Sequence, residues 1–245
     1  MPNLMLVLEY EGARYHGFQK QAGVPTIQGE LERAVKRLTG LTVRTVGASR
    51  TDAGAHALWQ VASFHTAASL PASTWMKALN FYLPEDIVVK EAGEVDEAFH
   101  ARRSASSREY HYRVWNRAAP SPFWRRYAYH FPYAMDLEAM REASASLIGT
   151  HDFSSFASVK GVKGGSAMRR LMEASLDRDQ DVVRFRFVGN AFLPQQVRTM
   201  VGTLLDVGSG RTGASEMARL LQSRDRTQAG PTVPACGLCL VKVNY

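Results

Sequence analysis

Twice along this chain the pattern of apolar residues approximates strand, helix, strand, strand, helix, strand, the second run with an extra short helix before its last strand. The first run opens on the apolar stretch NLMLVLEY, Asn3–Tyr10. A helix is expected over 26–38, with Ile27, Leu31, Ala34, Val35 and Leu38 on one face, Thr26 as its cap and Gly40 as its stop. Strands over 42–46 and 58–65 follow, then a helix from 73 that must end before Pro84, then a strand over 86–95. The second run begins with a strand over 108–115 and a helix over 136–148, capped by Asp136 and closed by Gly149. A hairpin pairs 171–176 with 182–188 through the polar turn DRDQD, and helices over 191–207 and 214–222 precede a last strand over 237–243. An amphipathic helix buries its stripe best on the apolar face of a sheet. The chain therefore reads as α+β: two ferredoxin-like β-α-β-β-α-β halves, 1–101 and 102–245, each with an antiparallel sheet and one open face.

With 245 residues, 45% apolar and 22% charged, the chain has the composition of a globular protein with a sizeable core. The charge-free run 53–76 holds His56, Gln60, His65 and Pro71 and is too polar to cross a bilayer. MPNLMLVLEY lacks a basic leader and a small-residue cleavage site, so it reads as a first strand of a cytoplasmic protein and not as a signal peptide. Net charge is +7, which favours an anionic partner. Its distribution narrows the choice. Between 102 and 126 lie seven arginines and one acid, Glu109, interleaved with Tyr110, His111, Tyr112, Trp115, Phe123 and Trp124. Cations among aromatics suit a phosphate backbone with unstacked bases. A second basic segment, KGVKGGSAMRR over 160–170, has no acid and three glycines. In the hairpin, Val183, Phe185 and Phe187 alternate with Arg184 and Arg186, giving one apolar and one basic face. Nucleic acid is the expected partner, and the open sheet face could meet a flat or extended ligand.

Several cofactor motifs fail on context. GSGRTG, 208–213, fits G-x-G-x-x-G but follows a helix, whereas a dinucleotide site needs a preceding strand. There is no Walker A sequence, and the seven histidines form no H-x-x-x-H spacing. Cys236 and Cys239 spell C-x-x-C without a second ligand pair, on a stretch that reads as strand; they are expected to be two buried small hydrophobes, with redox chemistry the lesser alternative. No metal or cofactor is expected.

What remains is GASRTDAGAH, 47–56, where Arg50 and Asp52 are the only charges in a stretch cleared of bulk. Without a cofactor, chemistry on a nucleic acid must use side chains, and a carboxylate kept ionised by an arginine can act as nucleophile or general base. The competing account is a plain β-turn, since TDAG is a good turn sequence.

The longer stretch GASRTDAGAHA resembles the catalytic loop of the TruA-type tRNA pseudouridine synthases. LEYEGARYHGFQKQ, LNFYLPEDIVV, FHARRSASSREYHYRV, GTHDFSSF, GNAFLPQQVRTMVG and VPACGLCL match further family segments in the family's order, covering nearly the whole chain. The resemblance implies isomerisation of uridine to pseudouridine at positions 38, 39 and 40 of the tRNA anticodon stem-loop, without a cofactor, by a homodimer. It implies that Asp52 is the catalytic carboxylate, leaving open whether it attacks sugar or base or deprotonates the sugar. Tyr110 matches the tyrosine that stacks on the target base, and Arg198 the arginine that pairs with the aspartate. Arg50 matches an arginine that helps hold the nucleotide out of its stack, and Leu238 an apolar residue lining the uracil pocket. Ala55, Pro194 and Cys239 stand where the family commonly carries larger side chains; Pro194 is expected near the first turn of its helix. A non-catalytic tRNA-binding protein or RNA chaperone of the same fold is the alternative function. An RNA-cleaving nuclease using His and Lys is a third reading, weakened by the absence of a paired-histidine motif.

Overall fold

The computed structural model describes residues 1–158 and 166–245. Residues 160–165 of the second basic segment lie outside that description, while Met168, Arg169 and Arg170 begin a strand. The chain divides into two compact units, the first made of Met1–Arg108 with Cys239–Tyr245 and the second of Glu109–Leu238. Each mixes helices with a mostly antiparallel sheet, so the α+β reading holds.

In the first unit, β1 (Asn3–Tyr10) lies between β3 (His56–His65) and β4 (Ile87–Val95), antiparallel to both, with Val7 opposite Val61 and Glu91. The short β2 (Val46–Gly47) pairs antiparallel with the other edge of β3, and β10 (Leu238–Asn244) pairs parallel with it through Cys239 and Leu240. Helix α1 (Ile27–Thr39) starts and stops where its sequence dictates. The Thr26 side chain accepts from Gly29 N, and Gly40 closes the helix at φ 73°. Its buried face carries Ile27, Leu31, Ala34 and Val35. Helix α2 (Ala72–Tyr82) buries Trp75 and Leu79, and the Trp75 ring meets Phe64 of β3 edge-on at 5.8 Å. Leu6 and Leu8 of β1 are fully buried, each such side chain contributing about 1.5–3 kcal/mol to folding.

In the second unit, β5 (Ser107–Trp115) carries β6 (Tyr129–His130) in parallel and has β9 (Val182–Gly189) as a sheet neighbour. Strand β8 (Met168–Asp179) joins β9 through a tight turn at Gln180 and Asp181, and β7 (Gly149–Asp152) pairs antiparallel on β8. Val183, Phe185 and Phe187 are fully buried, as the alternation predicts. Helix α3 (Leu137–Ala145) is capped by the Asp136 carboxylate, and α5 (Glu216–Ser223) buries Met217, Leu220 and Leu221. Between them in sequence runs α4 (Gln196–Gly208), and a Cβ on Gly208 would fall 2.3 Å from the sulfur of Met140 on α3.

Some boundaries differ from the sequence reading. The strand expected over 42–46 shrinks to two residues, because Leu41, Thr42 and Arg44 face solvent and have no partner strand among the described residues. Gly149 does not close α3; the helix ends at Ser146 in right-handed geometry, and Gly149 opens β7 at φ 123°. Helix α4 starts at Gln196, not 191, after Gln195 adopts φ 66°. Pro194 thus precedes the helix, its carbonyl accepting from Ser158 N at 3.1 Å. Cys236 sits in a 3-10 turn, Ala235–Gly237, before the strand and is half-buried. Only Cys239 is the buried small residue expected of both, and the two form no disulfide.

Candidate active site

Residues 48–55 connect β2 to β3 and carry Arg50 and Asp52. The tip is the turn that TDAG encodes: the Asp52 carbonyl accepts from Ala55 N at 3.1 Å, with Gly54 at φ 81°. That φ is what a type II turn requires at its third residue. The turn and the catalytic reading are therefore compatible, since the backbone of Asp52 closes the turn.

The loop is held from one side by β1 and the segment that follows it. The Tyr10 hydroxyl lies 2.8 Å from Thr51 Oγ1, Phe18 N donates to the Thr51 carbonyl at 3.2 Å, and Gly54 N donates to the Tyr15 carbonyl at 3.2 Å. Tyr15 is itself anchored, its hydroxyl donating to Asp86 at 2.5 Å. From β3, the fully buried Gln60 grips Ser49 by both backbone groups, accepting from its N–H at 3.1 Å and donating to its carbonyl at 2.8 Å. Gly12 N donates to Nδ1 of the buried His56 at 3.1 Å, fixing the loop's exit. Seven residues thus constrain a loop of eight (Tyr10, Gly12, Tyr15, Phe18, His56, Gln60 and Asp86), and the sequence reading singled out none of them for this role. The available signal was the glycine spacing in EGARYHGF. A Cβ on Gly12 would lie 1.9 Å from the Ala55 carbonyl oxygen, and one on Gly17 2.7 Å from that of Thr51.

The same geometry explains why the loop is small. A Cβ on Gly47 would lie 2.2 Å from the Phe18 ring, and Ala48 and Ala55 are each 2% exposed. These three are small because they pack internally. Ala53 and Gly54 are the small residues that leave the tip itself uncluttered. Asp52 is half-buried and Arg50 exposed. The Arg50 guanidinium is held below its ordinary pKa, first by partial burial and then by the charge of Arg102.

The other three candidates belong to the second unit, so the five divide between the two units. Tyr110 is on β5, 5% exposed, its ring edge-on to Phe192 at 5.1 Å. Arg198 is on the first turn of α4 and is pinned to the irregular segment that precedes the 3-10 turn Ala235–Gly237. Its Nε donates to the Val233 carbonyl at 2.7 Å, and its own carbonyl accepts from Val233 N at 3.4 Å. Burial pushes up the pKa of both Tyr112 and Cys236, and the nearby Arg198 charge partly opposes this in each case. Leu238 is 4% exposed, directly after Gly237, whose Cβ would collide with the Arg113 carbonyl at 2.5 Å. That collision leaves glycine as the residue that lets Leu238 enter β10 here.

Several arginines expected to meet RNA are engaged otherwise. Arg108 is buried and donates to the carbonyls of Ala48 and Ala105, each at 3.1 Å, and to that of Arg102. The basic face of β9 is neutralised: Arg184 pairs with Asp177 at 2.6 Å, and Arg186 bridges Glu109 and Glu173. Glu109 is held below the usual carboxylate range, chiefly by its hydrogen bond from Arg186, with His111 adding to the effect. Trp115 and Trp124 stack at 6.3 Å beside a cavity of about 170 Å³ lined also by Arg113, Asp177 and Arg184. None of the five candidate residues lines it. Among the described residues no group of three or more His, Cys, Asp or Glu is placed to hold a metal ion, and no helix is long and apolar enough to cross a membrane.

The family model for tRNA pseudouridine synthase matches residues 6–102 and 143–245, which include the Asp52 loop, α4 and β10. The chain belongs to the tRNA pseudouridine synthase family. Members of this family isomerise uridine to pseudouridine in tRNA, so this family member is an isomerase acting on tRNA. Its similarity to individual relatives runs end to end. The tRNA pseudouridine synthase A of Acetivibrio thermocellus is 45% identical over 245 residues, covering 100% of both chains. That of an Exiguobacterium species is 44% identical over 245 residues, with 100% of this chain and 98% of the relative covered. A Geobacillus relative of the same name is 44% identical over 239 residues, covering 97% and 96%.

Proposed function

We propose that this synthase acts on uridines 38, 39 and 40 of the tRNA anticodon stem-loop, with Asp52 as its catalytic carboxylate. The N1–C1′ glycosidic bond breaks, the uracil turns within the site, C5 bonds to C1′, the C5 proton leaves and N1 takes one up. Substrate and product have the same atoms, so neither cofactor nor metal is invoked. The observation that carries the reading is the Asp52 loop: a carboxylate on a tip fixed by backbone and buried side-chain bonds, flanked by a cation two residues away. Such fixation suits a group that must meet a sugar or base in one geometry.

Arg198 is assigned as the cation that pairs with Asp52, and Tyr110 as the aromatic that stacks on the extruded base, a contact worth about 1–3 kcal/mol. Extrusion itself costs a few kcal/mol. Arg50 helps hold the nucleotide out of its stack, and Leu238 lines the uracil pocket. In this reading, residues 1–101 supply Asp52 and Arg50 while 102–245 supply Tyr110, Arg198 and Leu238. Each half is ferredoxin-like, with an open sheet face that meets the RNA. The element order β1-α1-β2-β3-α2-β4 of the first unit supports that description. A homodimer in the cytoplasm completes the proposal.

The test is an unmodified tRNA transcript with uridines at 38–40, incubated with enzyme alone and mapped for pseudouridine by chemical adduct and reverse-transcription stops. Stops at those positions are expected with the native enzyme and not with Asp52→Asn, which should still bind tRNA. Activity retained by Asp52→Asn, or tight binding by the native protein without any conversion, would sink the assignment.

A further inference from the structure

Arg50 and Arg102 are both exposed, and among the described residues neither side chain makes a hydrogen bond or an ion pair. Their backbones are nonetheless near neighbours, since the one Arg108 guanidinium reaches the carbonyls of both Ala48 and Arg102, and the charge of Arg102 acts on Arg50. Two unpaired guanidiniums repel, so something must hold them together. The buried Arg108 does so. It donates to the carbonyl of Ala48, two residues before Arg50, and to that of Arg102 itself. The turn bearing Arg102 is further fixed. The N–H groups of Arg102 and Arg103 both donate to His100 Nδ1 at 3.2 Å, Ser104 N donates to the His100 carbonyl at 2.9 Å, and Ala101 N donates to Ser63 Oγ on β3 at 3.2 Å. A rigid frame presenting two guanidiniums that, among the described residues, pair with no carboxylate is pre-organised for an anion. Guanidinium forks match phosphate oxygens in particular.

We propose that Arg50 and Arg102 form a two-guanidinium site for one backbone phosphate of the RNA substrate, with Arg108 as the buried strut that sets their spacing. The inference rests on the reading of Asp52 as the reaction centre. Arg50 and Asp52 are two residues apart, at most about 7 Å between their Cα atoms. The phosphate bound there accordingly belongs to the target nucleotide or an immediate neighbour.

The experiment measures tRNA binding to native protein, Arg102→Gln, Arg102→Lys and Arg33→Gln between 50 and 200 mM salt. Stem-loops carrying a single neutral methylphosphonate at each position are bound in parallel. Thermal unfolding of each variant checks that the fold persists. Arg102→Gln should weaken binding about 5- to 30-fold and flatten the slope of log K against log salt by about 0.7–0.9, the release expected for one phosphate contact. Arg102→Lys should recover most of the slope. Arg33→Gln, which removes a cation already paired with Glu30, should change neither quantity. At one position, neutralising the phosphate should make Arg102→Gln cause no further loss. An unchanged slope in a folded Arg102→Gln, or full additivity with every neutralised phosphate, overturns the proposal. Displacement of tRNA from this site by millimolar inorganic phosphate, with the methylphosphonate series flat, would assign the pair to free phosphate and overturn it too. Asp52→Asn in the same preparation separates the two readings. If that variant stays active the catalytic assignment fails, while the salt slope still decides the phosphate site.

Discussion

At the scale of single residues, the Asp52 loop owes its geometry to side chains with no chemical role of their own. Gln60 is the clearest. Its amide matches the Ser49 backbone donor to acceptor, and it lies 3.4 Å from the Tyr10 hydroxyl that in turn reaches Thr51. Gln60→Leu would leave buried polar groups unpaired, at about 1–3 kcal/mol each. The expected outcome is a lower Tm and a kcat reduced at least tenfold, with KM for tRNA within about twofold, since tip position should matter more to the transition state than to binding. Steady-state kinetics beside a melting curve check this; a KM rise with kcat intact would show that the loop's main service is binding. Gly12→Ala makes a sharper case. Its Cβ meets backbone, which cannot swing aside, so the loop must shift. Overpacking of this kind costs about 1–3 kcal/mol, and activity should fall well beyond what the lost stability explains. The charged pair Arg50 and Asp52 was legible in the sequence because both stand out from small neighbours. Gln60 and Tyr10 were not, because a polar residue on a strand reveals its partner only once distant segments are brought together.

At the scale of elements, what could be read locally was read well. Thr26 and Asp136 cap the helices expected of them, and β1 has the predicted bounds, because caps and apolar alternation are encoded within a few residues. What failed depended on pairing. The four residues of β7 are a strand only because β8 lies beside them, and 42–45 are not one because no strand among the described residues does. The apparent basic face of β9 failed for the same reason: its acids arrive from β5 and β8. That pairing gives the second unit an acid-sensitive surface. Glu109 has its folded-state pKa lowered, so its stabilisation is present above the unfolded value and is lost as pH falls through the folded one. His111 is also lowered, here chiefly by burial. The unfolded state then binds more protons below about pH 6.5, and stability again falls with pH. Both groups act in the same direction. Denaturant titrations from pH 7 to pH 4 should show declining stability, with a shallower decline at the acid end for Glu109→Gln. A variant as steep as the native protein would mean that other carboxylates govern acid unfolding.

For the whole molecule, net charge overstates the surface open to RNA. Of the arginines, Arg14, Arg33, Arg117, Arg141, Arg184, Arg186, Arg211, Arg219 and Arg224 have carboxylate partners within the chain, and Arg108 is buried. A cation already neutralised by its neighbour releases few counterions when a phosphate approaches, so it adds little to the salt dependence of binding. The footprint should therefore be smaller than a count of basic residues suggests, and concentrated where arginines lack acids. If about six phosphates are contacted, tRNA affinity should drop roughly a thousandfold between 50 and 200 mM salt. Paired cations provide the internal comparison. Arg141→Gln and Arg184→Gln should leave that slope unchanged, whereas Arg103→Gln, on the same exposed turn as Arg102, should flatten it. Equal flattening by all three variants would mean that the ion pairs open on binding, and that affinity tracks total charge and not the placement of unpaired arginines.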